Sequence, residues 1–107
     1  MFPNVQHPPY KVLMTYDILP AQQEAYYRYV LGDFVPRLRN MGLPMVAAWH
    51  IAYGRYPERL LEFSCSSLHQ ARSLFRDPAY RRMEERLKSY TQNFSRRLVL
   101  YRDGFQF

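Results

Sequence analysis

At 107 residues, 48% of them hydrophobic and 17% aromatic, the chain is sized for one hydrophobic core and is too apolar for a disordered polypeptide. The single cysteine, Cys65, excludes an internal disulfide, and His7, His50 and His69 lack the spacing of a structural zinc site. The net charge is +6, and the whole excess lies between Arg72 and Arg102. No run approaches the roughly 20 apolar residues of a membrane span, and residues 1–9 lack the layout of a signal peptide. The expectation is a cytoplasmic protein with no membrane partner.

Residues 1–9 hold three prolines and read as an extended arm, so the folded domain is expected over 10–107. Residues 10–18 alternate as a strand does: Tyr10, Val12, Met14, Tyr16 and Ile18 share one face, Lys11, Leu13, Thr15 and Asp17 the other. Pro20 suits the first turn of a helix. Its apolar stripe is Tyr27, Val30, Leu31, Phe34, Leu38 and Met41, with a kink predicted at Pro36 and a left-handed cap at Gly42.

The second strand is predicted over 46–53, with Trp49, Ile51 and Tyr53 facing opposite to Ala48, His50 and Ala52. After a turn at 54–58, a third strand over 60–66 sets Leu61, Phe63 and Cys65 on one face and Leu60, Glu62 and Ser64 on the other. Ser67 with Gln70 has capping-box spacing, and Asp77-Pro78 is a second helix start, followed by the stripe Tyr80, Met83, Leu87 and Tyr90. A last strand is predicted over 94–102, before a turn at Asp103-Gly104 and an apolar tail with Phe105 and Phe107.

This β-α-β-β-α-β order predicts an α+β, ferredoxin-like fold: a four-stranded antiparallel sheet with two helices on one face. The helix-covered face takes Val12, Met14, Trp49, Ile51, Leu61, Phe63, Leu98 and Leu100. The other face would carry Leu13, Ala48, Ala52, Leu60, Val99 and Tyr101, more apolar surface than an antiparallel sheet normally leaves in water. Face-to-face pairing of two sheets, a homodimer, removes it. Lys11, Asp17, His50, Glu62 and Arg97 are expected on the same face, so a monomer with a semi-polar face is the alternative; in the dimer Lys11, Glu62 and Arg97 read as a charge network across it.

The run from Tyr10 to Pro20 (YKVLMTYDILP), the Tyr-rich helix ending at Gly42, Trp49 with Gly54 five residues on, and Asp77-Pro78-Ala79-Tyr80 resemble the dimeric α/β-barrel superfamily, in its NIPSNAP-like branch. The resemblance covers residues 10–102. It implies a dimeric α/β barrel, a ligand held between sheet and helices, and a range of activities that includes cofactor-free monooxygenases, heme-degrading monooxygenases, isomerases and polyketide cyclases. The cyclase histidine is replaced here by Tyr80. The Asn and late-helix His of heme-degrading members are also missing, so no cofactor is expected.

Tyr10, Met14, Tyr16, Trp49, Tyr53, Phe63 and Tyr80 are the candidate ligand-binding residues, since aromatics with a polar tip suit flat organic molecules. The plainer reading of that set is core packing. His50, Asp17 and Tyr80 are the candidate catalytic groups, His50 because it titrates near neutrality and shares a predicted face with Asp17 and Glu62. No serine or Cys65 has an adjacent base, no phosphate loop is present, and no metal ligand set is expected. Glu84 precedes Lys88 by four residues, so the charge of the last helix reads as a solvated face. A small partly apolar molecule is therefore the expected ligand, with a non-catalytic binding or oligomeric protein as the alternative. Nucleic acid is the disfavoured partner, its one support being Asp17 after an apolar first strand, as in small ferredoxin-like nucleases.

Overall fold

The alternating first strand is one of the two inner strands of a four-stranded sheet. A computed structural model describes residues 10–53 and 56–100, with the side chains of 52–57 excepted. In chain order the elements are β1 (Tyr10–Ile18), a 3-10 turn (Pro20–Gln22), α1 (Gln23–Tyr29), a π-helical turn (Val30–Phe34), α2 (Val35–Asn40), β2 (Met45–Tyr53), β3 (Tyr56–Cys65), α3 (Leu68–Arg76), α4 (Pro78–Lys88) and β4 (Thr91–Leu100). The sheet order is β2-β3-β1-β4 with every pair antiparallel, the ferredoxin-like arrangement of two interleaved βαβ units. The arm, Gly54, and the tail from Tyr101 through Phe105 and Phe107 lie outside the described residues.

The helices cover one face. Val12, Met14 and Tyr16 from β1 and Leu61, Phe63 and Cys65 from β3 form its floor, beneath Tyr26, Tyr29, Val30, Phe34 and Leu38 on one side and Ala71, Leu74, Tyr80, Met83 and Leu87 on the other. Each large apolar side chain removed from water here contributes about 1.5–3 kcal/mol. Two predicted caps form: Ser67 Oγ accepts from Gln70 N at 3.0 Å, and Asp77 Oδ1 accepts from Ala79 N at 2.7 Å. The Gln70 side chain reaches past Ser67, accepting from Ser66 N at 3.0 Å and donating to Gly42 O at 2.8 Å. Gly42 has φ +93, the left-handed conformation expected of it, so the side chain of Gln70 ties the start of α3 to the end of α2.

Three local irregularities depart from the sequence reading, and each moves side chains. First, the kink expected at Pro36 is replaced by the π-helical turn before it, where Val35 N–H bonds to Val30 O and the backbone stays right-handed. A wider turn relieves the clash of a proline ring with preceding carbonyls. It also keeps every fourth residue on one face, so Tyr26, Val30, Phe34 and Leu38 are buried while Leu31, placed in the stripe by its spacing, is 66% exposed.

Second, β2 carries a bulge at Val46: Met45 pairs with Phe63, yet Ala47 pairs with Glu62 and Trp49 with Leu60. One extra residue inverts the facing of all that follow. Trp49 and Ile51 therefore leave the helix-covered face, at 53% and 38% exposure, and join Leu13, Leu60, Ala47 and Val99 on the open one. His50, predicted on the open face, turns to the helix side opposite Arg59, and Ala48 turns with it opposite Leu61. Third, β4 begins at Thr91 rather than at residue 94. Between Thr15 and Asp17 its register shifts around Asn93, which adopts φ 59, a conformation asparagine tolerates. β3 likewise begins at Tyr56, inside the predicted turn.

Candidate functional site

Where β1 ends and α1 begins, three tyrosines and an arginine meet under the helices. Tyr16 and Tyr26, both essentially without solvent contact, join hydroxyl to hydroxyl at 2.5 Å, with their rings edge to face at 5.7 Å. Arg59, from the same face of β3 as Leu61 and Phe63, donates from Nη2 to the Tyr27 hydroxyl, and its guanidinium carbon stands 5.4 Å from the centre of that ring. Its Nε is buried and has no hydrogen-bond partner among the described residues. An orphaned buried donor costs about 1–3 kcal/mol, so one that persists calls for an explanation. Beside it Ile18, Gln23, His50 and Arg59 line a hollow of about 70 Å³.

The electrostatics keep the phenols protonated. Burial raises the Tyr16 pKa well above the usual phenol value, and the neighbouring Tyr26 adds to this while Arg59 opposes it. Tyr26 is raised by burial too, against the hydrogen bond with Tyr16 and the charge of Arg59. Of the two hydroxyl hydrogens one is used between the rings. The other, like Arg59 Nε, has no acceptor among the described residues. Of this cluster Arg59 lines the hollow, where its cation would favour a carbonyl or carboxylate oxygen.

The candidate residues do not converge on one pocket. Met14 and Phe63 are fully buried in the middle of the packed floor. Tyr10 lies at the far end of β1, opposite Cys65 and Leu100. The side chain of Tyr53 is outside the described ones. Trp49, expected under the helices, stands on the open sheet face instead, its Nε1 donating to Glu62 Oε2 at 2.6 Å, and Lys11 Nζ reaches Glu62 Oε1 at 3.0 Å. Partial burial works against the charged form of Glu62, but the Lys11 and Trp49 hydrogen bonds and the Lys11 charge outweigh it and hold the carboxyl below its ordinary range. Asp17 accepts from Asn93 Nδ2 at 2.9 Å, apart from His50 because the β2 bulge sends the two to opposite faces. Among the described residues no group of three His, Cys, Asp or Glu is placed to share a metal ion.

Tyr80 belongs to a second, partly buried cluster, at the β4 side. Its hydroxyl donates to Glu84 Oε1 at 2.6 Å, Arg96 pairs with the same carboxylate, and the Arg96 guanidinium lies 4.0 Å from the centre of the Phe75 ring. Lys88 Nζ adds a contact to Glu84 Oε2 at 3.7 Å. Burial, and then Glu84, push the Tyr80 phenol far above its usual range.

The sequence reading did not single out Tyr26 or Arg59. Arg59 was legible in principle: it precedes Leu61 and Phe63 at strand spacing, which puts a cation on the buried face. Tyr26 was hidden by the π-helical turn.

No family model matches the chain, and a search of curated proteins gives no match. Solved structures do. A NIPSNAP family protein of Agrobacterium tumefaciens strain C58 superposes with TM-score 0.67 at 15% identity, covering 95% of this chain and 93% of that one. The chain shares the ferredoxin-like fold of this NIPSNAP family protein. A dimeric ferredoxin-like protein from an uncultured marine organism gives TM-score 0.61 at 12% identity, over 94% and 93% of the two chains. The monooxygenase ActVA-Orf6 of Streptomyces coelicolor, solved in complex with nanaomycin D, gives 0.65 at 17% identity, over 92% and 91%. At these identities the likeness is one of fold, the fold that the NIPSNAP-like resemblance over residues 10–102 implied.

Proposed function

We propose that the protein pairs through its open sheet face into a homodimeric α/β barrel and binds a small, partly apolar or aromatic molecule at the Tyr16–Tyr26–Arg59 end of each subunit, between sheet and helices. The orphaned Arg59 Nε carries this reading, because a bound oxygen would satisfy a buried donor that is otherwise unpaired. The hollow of about 70 Å³ takes the oxygen-bearing end of such a molecule. A likeness in fold to a monooxygenase solved with nanaomycin D supports the ligand class. The catalytic form of the proposal is a cofactor-independent isomerase or monooxygenase, in which Arg59 and the protonated phenols stabilise an oxyanion that develops on the bound molecule. A non-catalytic binding protein is the second reading, favoured by the complete packing around Met14, Phe63 and Tyr80.

The pairing rests on the open face itself. Leu13, Leu60, Val99, Ala47, Trp49 and Ile51 surround the Lys11–Glu62 pair, and the Val46 bulge has added the tryptophan to a surface that is costly to leave in water. Native mass spectrometry at micromolar concentration is expected to show a dimer, converted to monomer by Trp49→Glu. A monomeric native protein would overturn the pairing. For the ligand, 2-hydroxy-1,4-naphthoquinone titrated by visible absorbance is expected to bind, with roughly tenfold weaker affinity in Arg59→Gln. Equal affinity of the two proteins would remove Arg59 from the site.

A further inference from the structure

The outer surface of the helices carries a groove that the proposed site does not use. Along the seam between the π-helical turn with α2 and the facing side of α4, Tyr29, Asp33, Arg37, Met41, Arg82 and Arg86 line a concavity of about 430 Å³, with Met83 and Ala79 in its floor. That size suits a small organic ligand. Arg37 and Arg86 share a single carboxylate, Asp33, at 3.2 and 3.9 Å. Arg86 also lies over the Tyr29 ring, 4.5 Å from its centre. Arg82 is exposed and has no hydrogen-bond or ion-pair partner among the described residues. Three guanidinium charges thus face one carboxylate across a floor of methionine and tyrosine.

We propose that this seam binds a phosphate monoester with an apolar body, its phosphate between Arg37, Arg82 and Arg86 and its body on Met41, Met83 and Tyr29. The charge balance selects the head group: after Asp33 is counted, two positive charges remain, and a phosphate monoester near pH 7 carries close to two negative ones. Guanidinium groups offer paired donors that match phosphate oxygens. Tyr29 fixes the seam, since its hydroxyl donates to Met83 O at 2.9 Å and so locks the π-helical turn against α4. Because the helices cover the face opposite the open sheet, the groove stays accessible when two sheets pair.

Isothermal titration calorimetry of the full chain with 1-naphthyl phosphate tests this assignment. Binding is expected to weaken about tenfold in Arg82→Gln, a substitution at an exposed side chain that leaves folding intact, and to be unchanged in Arg59→Gln. Both 1-naphthol and inorganic phosphate are expected to bind at least tenfold more weakly than the ester, since each lacks one half of the recognition. Unchanged affinity in Arg82→Gln would overturn the proposal, as would loss in Arg59→Gln instead. Inorganic phosphate binding as tightly as the ester would reduce the seam to a simple anion site and overturn the apolar half. Failure here leaves the hydroxynaphthoquinone titration untouched, and the reverse holds.

Discussion

Two clusters under the same helices combine an arginine with buried tyrosine hydroxyls, and they are finished differently. At the β4 side the Tyr80 hydroxyl, the Glu84 carboxylate and the Arg96 guanidinium satisfy one another, with Phe75 packed on the cation. At the β2–β3 hairpin side Arg59 meets Tyr27, Tyr16 meets Tyr26, and Arg59 Nε is left over. In the first network the hydroxyl, the carboxylate and the cation each have a partner in the others. The second forgoes some stability and keeps a donor in reserve. Under the proposed function, Arg59 is the arginine that meets a ligand and Tyr80 the tyrosine whose hydroxyl is already bonded, to Glu84.

The largest expected effect is common to both clusters. Tyr16, Tyr26, Tyr29 and Tyr80 all have phenols raised above the ordinary value of 10.0, Tyr29 to about 12. Below pH 10 they are protonated in folded and unfolded chains alike, and their contribution is fully present. Above it the unfolded chain releases protons that the folded one retains, so stability falls with each further unit, for Tyr29 until the folded group titrates near 12. Urea midpoints measured from pH 8 to 11 should hold steady and then drop beyond 10. A flat profile through pH 11 would mean that the phenols are not buried as described.

Separating the clusters begins with Arg96→Ala. It takes the cation from Glu84 and from the Phe75 ring while the Tyr80 hydroxyl stays bonded to Glu84, and losing a charged partner from this half-buried pair costs about 1.5–3 kcal/mol. Chemical denaturation should show the loss in the urea midpoint. A change under about 0.5 kcal/mol would mean that the β4-side network is a surface ion pair of ordinary worth.

What the sequence made legible follows from how local each signal is. The alternation of β1, the Ser67 and Asp77 caps, and the glycine at position 42 are each decided within a few residues, and the structure has them where the spacing put them. The sites depended on longer bookkeeping. A single extra residue at Val46 exchanged Trp49 for His50 across the sheet, and the π-helical turn replaced Leu31 with Tyr26 in the buried stripe. Neither insertion has a propensity signature. Each is fixed by pairing with a distant element, Val46 by the register of β3 and the turn by packing over Tyr16 and Phe63. Of the candidate residues, Trp49 and His50 are the ones that the Val46 bulge moved to the other face.

Within the hairpin-side cluster, Tyr16→Phe is expected to cost about 1 kcal/mol, the net worth of one buried hydrogen bond, with the ring packing against Phe94 retained. Tyr26→Phe should cost a similar amount, and the double variant less than the sum, because either substitution alone already breaks the shared bond. Full additivity by urea denaturation would show that the two hydroxyls bond to separate partners.

Arg59→Gln should have the smallest effect on stability and the most to say about the comparison. The substitution forfeits the Tyr27 contact but also removes an unpaired buried donor, two changes of similar size and opposite sign, so the net is expected within about 0.5 kcal/mol of zero. Set beside the loss expected for Arg96→Ala, a near-neutral result would identify the arginine whose side chain is placed for something other than folding. A loss matching that of Arg96→Ala would make the two clusters equivalent and both structural, since Arg59 would then be held by interactions as complete as those around Glu84.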